Sequence, residues 1–236
     1  MFYLLLKSIF VYGNLDEKTD ILVYTSSTFR NMIKENSLFN EKIVFEINDT
    51  YNDINKACKS RLDVFHLMSI SKYDKILYLD TDIIVKGDVN IVFDCLEDDV
   101  LYALEEGNLL DDANNRFDFY GGLTLFGNEA YNYEDKTAFS SGVLLFNNCE
   151  TIKTLFDNIK KHIVSDPHDF CCYDQPYIVY NSFKYNLYNN KVLKKFIIDN
   201  NYDVTSDKII HHFSGGPGYF ERKIDLMTIF LNKLLT

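Results

Sequence analysis

Apolar and polar positions follow two periods along this chain. Phe2, Leu5, Leu6 and Ile9 recur at helical spacing, so Met1 to Val11 predicts an amphipathic helix. Short apolar runs predict strands at Ile21 to Tyr24 and Lys42 to Ile47. Leu62, Phe65 and Met68 predict a helix over Lys59 to Ile70, leading into a strand at Lys75 to Leu79. Further strands are expected at Val100 to Leu104, Gly142 to Phe146 and Ile209 to Phe213. Ile152, Leu155, Phe156, Ile159 and Ile163 give the clearest helical stripe, and Ile224, Met227, Leu231 and Leu234 a closing helix. Strands alternating with helices predict one α/β domain over residues 1–236, with a mainly parallel central sheet and helices on both faces.

Glu105 to Phe139 breaks the pattern. So long a stretch of weak periodicity is usually functional or mobile. Its Asp111, Asp112 and Arg116 read as solvated surface. Its Phe119, Tyr120, Gly121 and Gly122 read either as surface packing or as the wall of an acceptor site.

Composition narrows the partners. The chain has 236 residues, 47% of them apolar, enough for one large globular domain. A net charge of −11 argues against nucleic acid, which wants clustered Lys and Arg. An anionic substrate would need a cation to offset repulsion. Five cysteines without a CxxC spacing predict reduced thiols in a cytoplasmic compartment, with neither a disulfide framework nor a zinc site. The apolar start is too short to span a membrane, and no transmembrane segment is expected.

Asp80, Thr81 and Asp82 stand between two apolar runs, Ile76 to Leu79 and Ile83 to Val85. The first run has no polar face and reads as a parallel strand buried on both sides. In open α/β sheets ligands sit beyond the carboxyl ends of strands. Carboxylates two residues apart project to one side of an extended chain. Holding both there is unfavourable unless a cation joins them, and oxygen ligands suit Mg²⁺ or Mn²⁺. The alternative is a solvated loop with two unrelated aspartates.

Three more segments change the weight of this motif: Ser140-Ser141-Gly142-Val143-Leu144-Leu145-Phe146-Asn147, Asp174-Gln175-Pro176, and His211-His212-Phe213-Ser214-Gly215-Gly216. With Asp80-Thr81-Asp82, their order and spacing resemble family 8 glycosyltransferases, which are retaining enzymes. The resemblance implies a GT-A fold, a nucleotide-sugar donor, usually a UDP-sugar, and a hydroxyl acceptor. It implies that Asp80, Asp82 and His212 hold a metal. One imidazole beside two carboxylates favours Mn²⁺, with Mg²⁺ as the alternative. Donor contacts fall on Arg61, Asp80, Thr81, Ser141, Gly142 and Gly215, with Gly215 in the diphosphate loop. A neutral imidazole is needed for ligation, so metal binding is expected to weaken as pH falls through the ordinary histidine range. His211 points the other way on an extended chain and reads as packing. Arg61 also reads as an ordinary helix-surface arginine.

Asp174 and Gln175 map to the catalytic pair against the transferred sugar. A neutral amide is a poor nucleophile, so same-face attack is expected, with Gln175 stabilising developing positive charge and Asp174 orienting sugar hydroxyls. Asp174 also suits a helix N-cap, with Pro176 just inside. Three features depart from the family. Ser140 stands where asparagine is usual. No lysine stands near Gly218, where Arg222 or Lys223 could substitute. The chain opens in the helix that follows the family's usual first strand, so either that strand is absent from the fold or the base pocket differs. These departures favour a rival reading, a nucleotide-sugar or glycan-binding protein without transfer activity.

Overall fold

The computed structural model describes residues 1–51, 54–111, 118–215 and 220–236. Asp112, Arg116 and Gly218 lie outside the described residues. Helix α1 (Phe2–Tyr12) buries Leu5, Leu6 and Ile9, as their spacing predicts. Strand β1 (Ile21–Thr25) pairs in parallel with β2 (Ile43–Ile47) across helix α2 (Ser27–Glu35). Ser26 caps α2 by accepting the Phe29 N–H at 3.3 Å.

The helix expected over Lys59 to Ile70 is broken. Helix α3 (Ile54–Lys59) tightens into 3₁₀ turns at Ser60–His66, and Leu67 is extended. Leu62 stays in the core, but Met68 turns out to solvent with 89% of its surface exposed. Packing against the site side of the molecule decides this segment more than its apolar spacing does.

Strand β3 (Lys75–Leu79) pairs antiparallel with β6 (Thr137–Asn147). β6 also pairs antiparallel with β5 (Leu101–Asn108), which carries short β7 (Tyr188–Asn189) in parallel. β4 (Ile83–Val85) leaves this sheet. It pairs antiparallel with β9 (Ile210–His212), which runs parallel to β8 (Ile197–Asp199). The α/β class holds, and the pairing within it is mixed rather than mainly parallel. The cause lies in β6, which sits between β3 and β5 and runs antiparallel to both. Nor is β3 buried on both sides: Lys75 is exposed and Ile76 to Leu79 are half-buried, and among the described residues β3 pairs with β6 alone.

The remaining helices are α4 (Asn90–Phe93), α5 (Gly122–Phe126), α6 (Glu150–Ser165), α7 (Gln175–Lys184) and α8 (Phe220–Leu235). α6 and α7 close one face through Leu155, Phe156, Ile159, Ile178 and Val179. α1 and α8 lie against β4. Asp174 precedes α7, but its side chain makes no capping bond. Among the described residues, no hydrogen bond and no strand links β1 to β3. Their facing edges line a cavity of about 1980 Å³ that continues into the cleft above β3.

Residue Ser8 ties α1 to the site. Its buried hydroxyl donates to Leu5 O at 2.7 Å and accepts the Val85 N–H at 3.0 Å. Ser8→Ala leaves that strand N–H unpaired and should lower stability by about 1–3 kcal/mol. Denaturant unfolding measures this; a loss under about 0.5 kcal/mol would show that the bond contributes little.

Candidate active site

The motif Asp80-Thr81-Asp82 spans the crossover between two sheets. Leu79 is the last β3 residue, in register with Val143, and the Asp80 N–H donates to Gly142 O at 2.8 Å. Ile83 begins β4 opposite His212, and the Phe213 N–H donates to Asp82 O at 2.8 Å. Backbone bonds thus fix both carboxylates and the imidazole. Ligand atoms of Asp80, Asp82 and His212 all lie within 4.8 Å of one another.

Close approach at this point requires glycine. A Cβ on Gly142 would stand 2.4 Å from His212 Cε1 and 3.3 Å from Asp80 Oδ2. Any side chain there would push the imidazole out of place.

His212 is buried, with Nε2 at 3.5 Å from Asp82 Oδ1 and Nδ1 at 3.1 Å from Asp199 Oδ1. Burial disfavours its charge, but the neighbouring carboxylates of Asp199 and Asp82 outweigh that and push its pKa up to about 10. Burial would likewise raise Asp82, but His212 and Lys223 hold it down at about 2. Lys223 reaches from α8 to set Nζ 2.5 Å from Asp82 Oδ2. Asp82 Oδ1 is buried with no hydrogen-bond partner among the described residues. Two carboxylates, one imidazole and an unpartnered buried oxygen fit a divalent cation. His211 turns away, with Nδ1 3.0 Å from Asn201 O and its ring 4.6 Å from that of Phe230.

A second group of side chains adjoins the first. Arg61 is not a surface arginine. Its side chain is 8% exposed, and Nε lies 3.0 Å from Asp174 Oδ2. Nη1 lies 3.5 Å from Asp80 Oδ1 and donates to Ser141 O at 2.5 Å. Tyr78 donates its hydroxyl to Asp80 Oδ1 at 2.5 Å, beneath the same guanidinium. Gln175 begins α7, and its Oε1 accepts the Ser141 N–H at 2.9 Å while Nε2 donates to Phe119 O at 3.2 Å.

Arg61, Asp80, Thr81, Asp82, Ser141, Gly142, Gln175, His212 and Gly215 all line the one cavity. Asp174 does not. It is wholly buried behind Arg61, and burial, opposed by Arg61, raises its pKa to about 6. Contact with sugar hydroxyls and helix capping, both expected of Asp174, give way to holding Arg61. The carboxylate is fully buried and ion-paired with Arg61, which lines the cleft in its place.

Sequence reasoning missed Asp199 and Glu106. Asp199 ends the short strand Ile197–Asp199, where nothing in its own neighbourhood shows that it pairs across to His212. Glu106 is one of two adjacent glutamates, and only the end of β5 shows which one faces the cavity. Burial, then Asp199, raises the Glu106 pKa.

A mixed α/β sheet with a carboxylate–imidazole cluster at a strand crossover is the architecture of a GT-A glycosyltransferase. The model of glycosyl transferase family 8 matches residues 14–206, and the chain belongs to that family. Similar solved structures include the bifunctional glycosyltransferase WbbM, at 17% identity and a TM-score of 0.61 over 99% of this chain and 49% of that one. The chain spans about half the length of WbbM. The galactosyltransferase LgtC, solved with donor and acceptor sugar analogues, matches at 18% identity and a TM-score of 0.58, covering 96% of this chain and 91% of LgtC. GlyE of Streptococcus pneumoniae matches at 16% identity and a TM-score of 0.53, over 99% of this chain and 59% of that one. No curated protein matches the chain. The chain is therefore a glycosyltransferase by family. No helix among its described residues is long and apolar enough to cross a membrane.

The raised His212 pKa changes the expected pH response. Below about pH 10 the metal-free imidazole is protonated, so a cation must displace that proton. Mn²⁺ affinity should therefore rise about tenfold per pH unit from pH 6 to pH 8, without levelling near 7. Titration calorimetry across that range checks this; a plateau above pH 7 would assign His212 an ordinary pKa.

Proposed function

We propose that this chain transfers a sugar from a UDP-sugar to a hydroxyl acceptor with retention of anomeric configuration, in a Mn²⁺-dependent reaction. The convergence of Asp80, Asp82 and His212 in one cleft with Arg61 and Gln175 carries the reading. When bound, a divalent ion at that triad supplies Lewis-acid charge to the leaving diphosphate; Mg²⁺ is the alternative ion. The free thiols of all five cysteines support a reducing, cytoplasmic setting.

The chain's own residues have distinct tasks. Arg61, held by Asp174 and Asp80, fixes the Ser141 carbonyl and keeps the sugar side of the cleft rigid. Ser141 in turn fixes the Gln175 amide, whose oxygen dipole stabilises positive charge developing at the anomeric carbon. The bond from that carbon to the diphosphate oxygen breaks. The acceptor oxygen bonds to the same face, and its proton passes to the departing phosphate. Lys223 is the cation at the place where the family's lysine is absent. Its position beside Asp82 supports a role in binding the diphosphate with Gly215, whose absent Cβ would lie 3.7 Å from Lys223 Cε. Ser140, in place of an amide side chain, favours a second reading, binding without transfer.

Incubation with a panel of UDP-sugars and Mn²⁺ separates the two readings: transfer gives free UDP and a glycosylated product, and binding alone gives neither. UDP at about 100 times its Kd should stabilise the chain by roughly 2.7 kcal/mol, and only with Mn²⁺ present. Asp82→Asn should abolish that gain; an equal thermal shift with UDP in EDTA contradicts the metal assignment.

Gln175→Ala should lower kcat at least about tenfold while leaving UDP affinity nearly unchanged, because the amide faces the sugar and not the nucleotide. Weaker UDP binding with unchanged turnover would assign Gln175 to the nucleotide instead.

A further inference from the structure

A metal-binding imidazole needs a partner for its second nitrogen, because that bond selects the tautomer and stops the ring from turning. His212 Nε2 faces the aspartates of the crossover, so Nδ1 is the nitrogen to be held. Asp82 cannot hold the ring once a cation takes its carboxylate. Asp199 can. It ends β8 directly opposite His212 in register, and the Asn200 N–H donates to His212 O at 2.9 Å. Its Oδ1, buried and without a hydrogen-bond partner among the described residues, lies 3.1 Å from His212 Nδ1, within reach of that nitrogen.

The other oxygen of Asp199 is also engaged. Oδ2 accepts the Ser214 hydroxyl at 2.7 Å, and Asn200 Nδ2 donates to both, at 3.1 Å to Asp199 and 2.7 Å to Ser214. Ser214 immediately precedes Gly215. One carboxylate therefore touches both the candidate metal ligand and Ser214, the residue before Gly215.

We propose that Asp199 is a positioning residue that holds His212 with Nε2 toward the cation and ties that histidine to the Ser214–Gly215 loop. The proposal rests on Asp80, Asp82 and His212 being the metal site. Loss of the Nδ1 partner lets the ring rotate and weakens the ligand; loss of the Ser214 partner loosens the loop and leaves the metal in place.

The test uses the full chain with Mn²⁺. Free ion is counted by its electron paramagnetic resonance signal, and bound imidazole is detected by its ¹⁴N modulation in pulsed spectra. Asp199→Leu should weaken Mn²⁺ binding by about 10- to 100-fold and diminish the nitrogen modulation. Asp199→Asn keeps an acceptor oxygen and should restore most of both, with less than about a tenfold loss. Ser214→Ala should leave Mn²⁺ affinity within about threefold while weakening UDP binding in the presence of Mn²⁺. Unfolding midpoints confirm that the variants fold; if Asp199→Leu does not, Asp199→Ser, too short to reach Nδ1, carries the same expectation. Wild-type affinity and modulation in Asp199→Leu or Asp199→Ser overturn the proposal, as does an Asp199→Asn as weak as Asp199→Leu. A wild-type chain that binds no Mn²⁺ overturns the metal site itself.

Discussion

The site depends on one electrostatic constraint: carboxylates that the fold buries together must be matched by positive charge. Asp80, Asp82, Asp174 and Asp199 are all half-buried or buried around the crossover from β3 to β4. Arg61 answers Asp80 and Asp174, His212 answers Asp82 and Asp199, and Lys223 answers Asp82. Removing one partner of such a pair leaves a desolvated charge, which costs far more than the pair contributes. A divalent cation adds to this set and does not create it. The apo cleft is already ordered by its own cations, and the proton on His212 is the one it must give up.

The geometry also separates the two ends of a donor. In the proposed reading, the metal and diphosphate contacts come from the crossover, β9 and α8, and the sugar-side contacts from Arg61, β6 and the start of α7. Gly142 belongs to both, since its backbone abuts His212 while its neighbour Ser141 holds Gln175. An absent side chain lets the two halves meet.

Much of this was legible in the sequence because it is local. Period-two and period-3.6 patterns located α1, β1, β2, β6, α6, β9 and α8, and the DxD pair was visible as two carboxylates on one extended segment. Pairing direction was not legible, because an apolar run reads alike in parallel and antiparallel sheets; β3 is the example. Arg61 and Met68 sat on a helix that the tertiary structure broke into 3₁₀ turns. Asp174 maps to the sugar by family resemblance alone, which does not show which of two adjacent residues faces the cleft. The start of α7 puts Gln175 in the cavity lining and buries Asp174 against Arg61. Asp199 had no local signal at all, since its meaning depends on a cross-strand neighbour thirteen residues away.

The open edges of β1 and β3 have a consequence for cooperativity. Among the described residues β1 and β2 pair with no other strand, and they rest on α1 and α2 through Leu6, Val23, Ile33 and Ile43. A two-stranded ribbon is marginal by itself. This flank is therefore the part of the fold that opens first, with amide exchange faster than in the β3–β6–β5 sheet. One side of the cleft is built on a soft wall and the other on a stiff one. A ligand that spans both spends part of its interaction energy on ordering the soft side, so its affinity is set by the mechanics of a ribbon as well as by the charges it meets.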